Sequence, residues 1–318
     1  MPTARKELIN LDITPYYHCY ARCVRKGYLF GTGENNKNYD HRKSWVLERI
    51  QYLCQGFAID VCAYAIMSNH YHLVFHVNRK KALSWSDEEV NMRWQWALER
   101  KAPFLSSLPE EIEKRRECLF SISWFMRFLN EYIARLANIE DDVTGKFWES
   151  RFKSQALLDE GALLACMAYV DLNPVRANMA STLENSDFTS IQERLRAHHL
   201  NQPTPPTLME FEHKEVNETK ENTLKAYLPF SMKDYISLIK WTGGQIRDGK
   251  SGSLSEDVLP LIQTAGLNPK NWLKTVEKSS INDQTILGAL SKMKEWAQII
   301  KKAWLKGQRI TRLKYSTA

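Results

Sequence analysis

The chain has 318 residues, of which 43% are hydrophobic and 25% charged, the balance of a globular protein rather than a disordered or fibrous one. No run of about 18 consecutive apolar residues occurs, which excludes a helical membrane span, and the length exceeds a single domain of roughly 100–200 residues. The net charge of +7 favours polyanionic partners. Six cysteines, at 19, 23, 54, 62, 118 and 166, form no C-x-x-C pair, so a zinc ribbon or dithiol redox motif is not on offer. The N-terminal Met-Pro-Thr-Ala-Arg-Lys has no apolar run of a secretory signal. A cytoplasmic, nucleoid-associated protein is therefore expected.

In chain order, residues 15–24 and 57–67 are rich in Tyr, Cys, Val and Ile and predict strands. Between them Trp45, Leu47, Ile50, Leu53 and Cys54 recur at helical spacing, predicting a helix over 40–56 that ends at Gly56. Ser68-Asn69 is a turn signal, and 70–77 predicts the second arm of a hairpin. Residues 79–120 are polar, with two helix-like runs broken at Pro103 and Pro109, and read as an insertion. A helix with the apolar stripe Trp124, Phe125, Phe128, Leu129, Tyr132, Ile133 and Leu136 follows. A strand over 145–156 and a helix over 160–172, stopped by Pro174, complete the order β-α-β-β-α-β-α. This order predicts an α+β fold: a ferredoxin-like antiparallel sheet with helices on one face. Residues 200–223 read as a linker and 224–318 as a small α-helical C-terminal domain.

The sharpest local signal is Ser68-Asn69-His70-Tyr71-His72-Leu73-Val74-Phe75-His76. In a strand, His70 and His72 project to one face, where two imidazoles either share a divalent cation or form a hydrogen-bonded, half-buried pair. His76 lies farther along that face and reads as a structural or surface histidine. The H-x-H is not followed by the Asp of metallo-β-lactamase-like proteins, and Val74 breaks the H-x-H-x-H of the histidine-triad family. A second cluster is Tyr169-Val170-Asp171-Leu172-Asn173-Pro174-Val175-Arg176, in which Tyr169 and Asn173 stand i, i+4 on one helix face. A mid-helix tyrosine reads as a core residue or, next to a polarised phosphate, as a nucleophile. Tyr132 is the rival, but it sits within the apolar stripe of its own helix.

The His-x-His strand after Ser-Asn, the stretch Gly145-Lys146-Phe147-Trp148-Glu149-Ser150-Arg151-Phe152-Lys153, and the Tyr169 cluster occur in that order. Together they resemble the HUH single-tyrosine transposases, and most closely the REP-associated tyrosine transposases, over roughly residues 12–195. The resemblance implies His70 and His72 as metal ligands, Tyr169 as nucleophile and Asn173 as the residue completing the metal site. It also implies a divalent cofactor, Mg²⁺ or Mn²⁺, and single-stranded DNA as partner, often with a hairpin beside the cleavage position. Attack by the tyrosine would leave a 5′-phosphotyrosine and a free 3′-hydroxyl, and the conserved bond energy would allow strand transfer without ATP. Arg22, Arg25, Arg151, Lys153 and Arg176 are candidates for phosphate contacts, and Trp148 for base stacking or burial. Arg42, Arg127 and Arg135 read as solvated helix faces.

Between Lys292 and Lys314 eight basic residues face the single acid Glu295, with Trp296, Trp304 and Tyr315 interleaved or following. This segment reads either as a solvated helix with a basic tail or as a nucleic-acid surface. The expectation is a metal-dependent transposase-type endonuclease and strand transferase acting on single-stranded DNA, as a monomer or homodimer without a membrane partner. The competing expectation is a non-catalytic DNA-binding regulator derived from a transposase.

Overall fold

A computed structural model of the chain describes residues 8–24, 38–99, 105, 107–212, 224–248, 255–277, 281, 284–303 and 305–315. Strands β1 (Tyr16–Arg22), β2 (Ile59–Ile66), β3 (His70–Val77) and β4 (Lys153–Leu157) pair antiparallel in the order β2-β3-β1-β4. Helix α1 (His41–Gly56) links β1 to β2, and α5 (Ile122–Glu140) precedes β4. Between β3 and α5 the expected insertion holds α2 (Arg79–Ser84), α3 (Asp87–Leu98) and α4 (Pro109–Leu119). The α+β class and the ferredoxin-like strand order are as the sequence predicts. Gly56 ends α1 where α3 passes closely: a Cβ there would lie 3.2 Å from Trp96 Cδ1 and 3.4 Å from the Arg93 carbonyl.

Two details differ from expectation. The strand foreseen over 145–156 is regular only from Lys153, because residues before it turn away after a single bridge between Trp148 and Cys23. Helices also cover both faces of the sheet, not one. On one side Tyr17, Leu73 and Phe75 pack against Val46, Leu53, Phe125 and Leu129 of α1 and α5. On the other, Val74 and Cys62 meet Leu163, Leu164 and Met167 of α6 (Glu160–Asp171). Its sequence is apolar all round, and Gly161 through Asp171 are all buried, the pattern of a helix enclosed by protein.

What encloses α6 is the segment after the foreseen linker. It contributes α9 (Met232–Asp248), α10 (Leu259–Thr264) and α11 (Trp272–Thr275), whose Leu238, Ile239, Ile262 and Trp272 share the α6 core. It then adds β5 (Ile286–Leu287) parallel to β4, followed by α12 (Leu290–Ile299) and α13 (Gln308–Lys314). Met293 and Trp296 of α12 join the opposite core. Asp159 ties this together: it caps α6 through Ala162 N–H at 2.8 Å, and also accepts from Ala289 N–H and the Tyr315 hydroxyl, each at 2.6 Å. Within the foreseen linker, Leu208 bridges Val61 of β2 and Met209 is buried.

Candidate active site

Alternation along β3 sends His70, His72 and Val74 toward α6 and Tyr71, Leu73 and Phe75 toward α1 and α5. The rings of His70 and His72 are 5.0 Å apart between centroids and close to perpendicular. Both Nδ1 atoms are engaged: His70 Nδ1 lies 2.6 Å from Asn69 Oδ1, and His72 Nδ1 lies 2.9 Å from Nε2 of His18. A metal bound by either ring would therefore be met by Nε2 rather than Nδ1.

His18 comes from the neighbouring strand, where Tyr20 stands opposite His72 and His18 opposite Val74. Its other nitrogen, Nδ1, is 3.1 Å from Gln155 Oε1 on β4, so His18 has no nitrogen left for a metal. Complete burial pulls its pKa down to about 4 against a smaller upward effect of Gln155, and the ring is neutral at pH 7. Among the described residues no group of three or more His, Cys, Asp or Glu is arranged to hold a metal ion. A cation held by the two imidazoles would need an oxygen donor besides, the part the resemblance assigns to the Asn173 amide. Asn173 opens the short helix α7 (Asn173–Arg176), is buried, and its Nδ2 has no hydrogen-bond partner among the described residues.

Tyr169 lies on α6, 1% exposed, with its ring perpendicular to His72 at 5.5 Å and edge-on to His18 at 6.2 Å. The end of α6 is fixed by Asp171, which accepts from Ser190 and Tyr235 hydroxyls at 2.5 Å and from Ile191 N–H at 3.1 Å. These donors sit on α8 (Ser190–His199) and α9. Arg176 lays its guanidinium 4.8 Å from the Tyr169 ring centre. It donates to the carbonyls of Tyr169 at 3.2 Å and Val276 at 3.0 Å, so it ties the tyrosine to the C-terminal segment.

The other predicted residues are spread more widely. Arg22 is exposed and stands opposite His70; Lys153 is exposed and places its Nζ 5.5 Å from the Tyr20 ring. Arg25 lies outside the described residues. Trp148 and Arg151 line a cavity of about 430 Å³ with Trp124, Arg127, Asn130 and Phe152. That cavity is on the α5 side: Trp148 packs edge-on against Tyr71 and donates its indole N–H to Asn130 O at 2.9 Å. Tyr132 is on the same α5 side, across the sheet from the histidines, under Arg49. His76 pairs with Asp60 at 2.9 Å, away from the Tyr169 cluster. Arg42, expected to be solvated, is instead fully buried, bonded to Glu140 at 2.6 Å and to Asp141, joining the start of α1 to the end of α5.

Sequence reasoning missed His18 and Gln155. The alternation Tyr16, His18, Tyr20 was visible, but only the β1–β3 and β1–β4 registers bring His18 to His72 and Gln155.

No family model matches the chain, and no curated protein matches it. A solved structure is similar: a REP-associated tyrosine transposase bound to a REP hairpin. The likeness has 9% identity and a TM-score of 0.37, and covers 65% of this chain and 91% of that one.

Proposed function

We propose that this chain is a metal-dependent endonuclease and strand transferase of the transposase type, acting on single-stranded, hairpin-bearing DNA with Tyr169 as nucleophile. The observation that carries the reading is the perpendicular contact, 5.5 Å between ring centres, of Tyr169 with His72, two elements brought together only by the fold. In support of a divalent cation, both histidines have Nδ1 engaged elsewhere, which leaves Nε2 as the atom a metal would meet, and Asn173 follows Tyr169 by four residues, at the start of the next helix rather than on the same one. When bound, such a cation neutralises and orients a non-bridging oxygen of the scissile phosphate.

The protein's own groups do the rest. Tyr169 Oη attacks phosphorus in line; the P–O3′ bond breaks, the phenolic proton departs, and the 3′ oxygen gains a proton. Arg22 and Lys153, exposed beside His70 and Tyr20, neutralise flanking phosphates. His70 is partly exposed whereas His72 and Tyr169 are buried, so the strand reaches the site from the His70 edge. That same burial supports a second reading, in which Tyr169 is a core aromatic and the chain binds DNA without cutting it.

The two readings part on one experiment. Incubation with hairpin-bearing single-stranded DNA and Mn²⁺ or Mg²⁺ is expected to give a denaturation-resistant protein–DNA adduct. Tyr169→Phe and His70→Ala abolish it with DNA binding kept, and Tyr132→Phe leaves it intact. Binding without any adduct in the wild type sinks the catalytic reading and leaves the regulator.

A further inference from the structure

A chain of hydrogen bonds runs from the C-terminal segment to His72, and its direction is fixed by chemistry. The side-chain amide of Gln155 faces two main-chain carbonyls, Ile281 O at 2.6 Å and Gln284 O at 2.5 Å. Carbonyl oxygens only accept, so the NH₂ end of Gln155 must point at them and its Oε1 at His18. Oε1 also only accepts, so His18 Nδ1, 3.1 Å away, carries the hydrogen. A neutral imidazole has one N–H, which leaves a lone pair on His18 Nε2. The facing His72 Nδ1, at 2.9 Å, must then donate. His72 is thereby held with its hydrogen on Nδ1 and its lone pair on Nε2.

We infer that Ile281 and Gln284, acting through Gln155 and His18, set the tautomer in which His72 can ligate a divalent cation. The segment after the linker is thus a positioning element of the metal site as well as a cover for α6. Metal-bound histidines generally have the second ring nitrogen fixed by a hydrogen-bond acceptor, and loss of that partner weakens metal binding about 10- to 100-fold. Here the acceptor is another imidazole, itself fixed by an amide that is fixed by the backbone. The reverse tautomer would place an N–H where the cation must sit. The inference rests on the metal-site reading above for its consequence, though the tautomer itself is a property of the metal-free chain.

The test is long-range ¹H–¹⁵N correlation on the full-length, metal-free protein with ¹⁵N-labelled histidine, with His18→Gln and His72→Gln serving for assignment. Both His18 and His72 are expected as the Nδ1–H form. In Gln155→Leu, His18 loses its acceptor, the His72 signals shift toward a tautomer mixture, and Mn²⁺ affinity, read from the electron paramagnetic resonance of free Mn²⁺, falls about 10- to 100-fold. A merely structural role for Gln155 would change the melting temperature without moving the tautomers. An Nε2–H form of His72 in the wild type overturns the inference, as do unchanged tautomers and affinity in Gln155→Leu. Should Gln155→Leu not fold, the wild-type spectrum decides alone. Wild-type protein with the assigned tautomers but no Mn²⁺ binding upholds the relay and removes the metal-dependent reading instead.

Discussion

Lys314, near the end of α13, is a basic residue that the charge count alone places on a solvated face, yet it is 4% exposed. Burial lowers its pKa from 10.5 to about 8, with a smaller opposing effect from Cys166. The folded value is depressed, so between pH 8 and 10.5 the unfolded chain holds a proton that the folded chain has released. Stability from this group therefore rises with pH across that window, and below pH 8 the full cost of an enclosed ammonium remains. Lys314→Met should raise stability at pH 7 by on the order of a few kcal/mol and flatten the rise toward pH 10, read as urea midpoints at the two pH values. An unchanged midpoint at pH 7 would show that the ammonium is solvated. The site histidines differ in legibility for a related reason. His70 and His72 are readable because a period of two is local to one strand, whereas the role of His18 depends on which strands lie beside it.

At the scale of elements, the order β-α-β-β-α-β-α and most boundaries follow from periodicity and turn residues, since each of those signals acts within a few residues. The enclosure of α6 was half visible: a run such as Gly-Ala-Leu-Leu-Ala-Cys-Met-Ala-Tyr-Val carries no polar face, but nothing local says what covers it. The covering is tight enough to require a glycine. A Cβ at Gly161 would lie 2.5 Å from the carbonyl oxygen of Ala265 and 3.1 Å from Leu267 Cγ, so the backbone after α10 would have to move. Alanine is the better helix former by about 1 kcal/mol, while forcing atoms into a packed core costs about 1–3 kcal/mol. Gly161→Ala is therefore expected to lower the melting temperature, and a rise would mean that the C-terminal segment does not press on α6. The loop before β4 gives a second element-level expectation. Trp148 walls the cavity beside α5, and if that cavity takes an unstacked base, Trp148→Ala weakens single-strand binding by about 1–3 kcal/mol in a fluorescence anisotropy titration. Affinity unchanged by the substitution assigns Trp148 to packing alone.

For the whole molecule, charge and aromatic content part company in the C-terminal run. Trp296 is fully buried, Tyr315 is bonded to Asp159, and Trp304 lies outside the described residues, so the two described aromatics serve packing rather than stacking on bases. The charges are another matter: Lys292, Lys294, Lys301, Lys302, Lys306 and Arg312 are exposed. No helix among the described residues is long and apolar enough to cross a membrane. A strand held by phosphate contacts releases counterions, and the logarithm of affinity falls with the logarithm of salt by about 0.7 for each phosphate neutralised on a single strand. If Lys301 and Lys302 each hold a phosphate, replacing both with glutamine should reduce that slope by about 1.4 while leaving sequence preference unaltered, because phosphate contacts position without specifying. Binding isotherms between low and moderate salt give the slope directly. A slope identical to the wild type would place the strand elsewhere, along the Arg22 and Lys153 edge beside His70, and would leave the C-terminal charges as a solvated face.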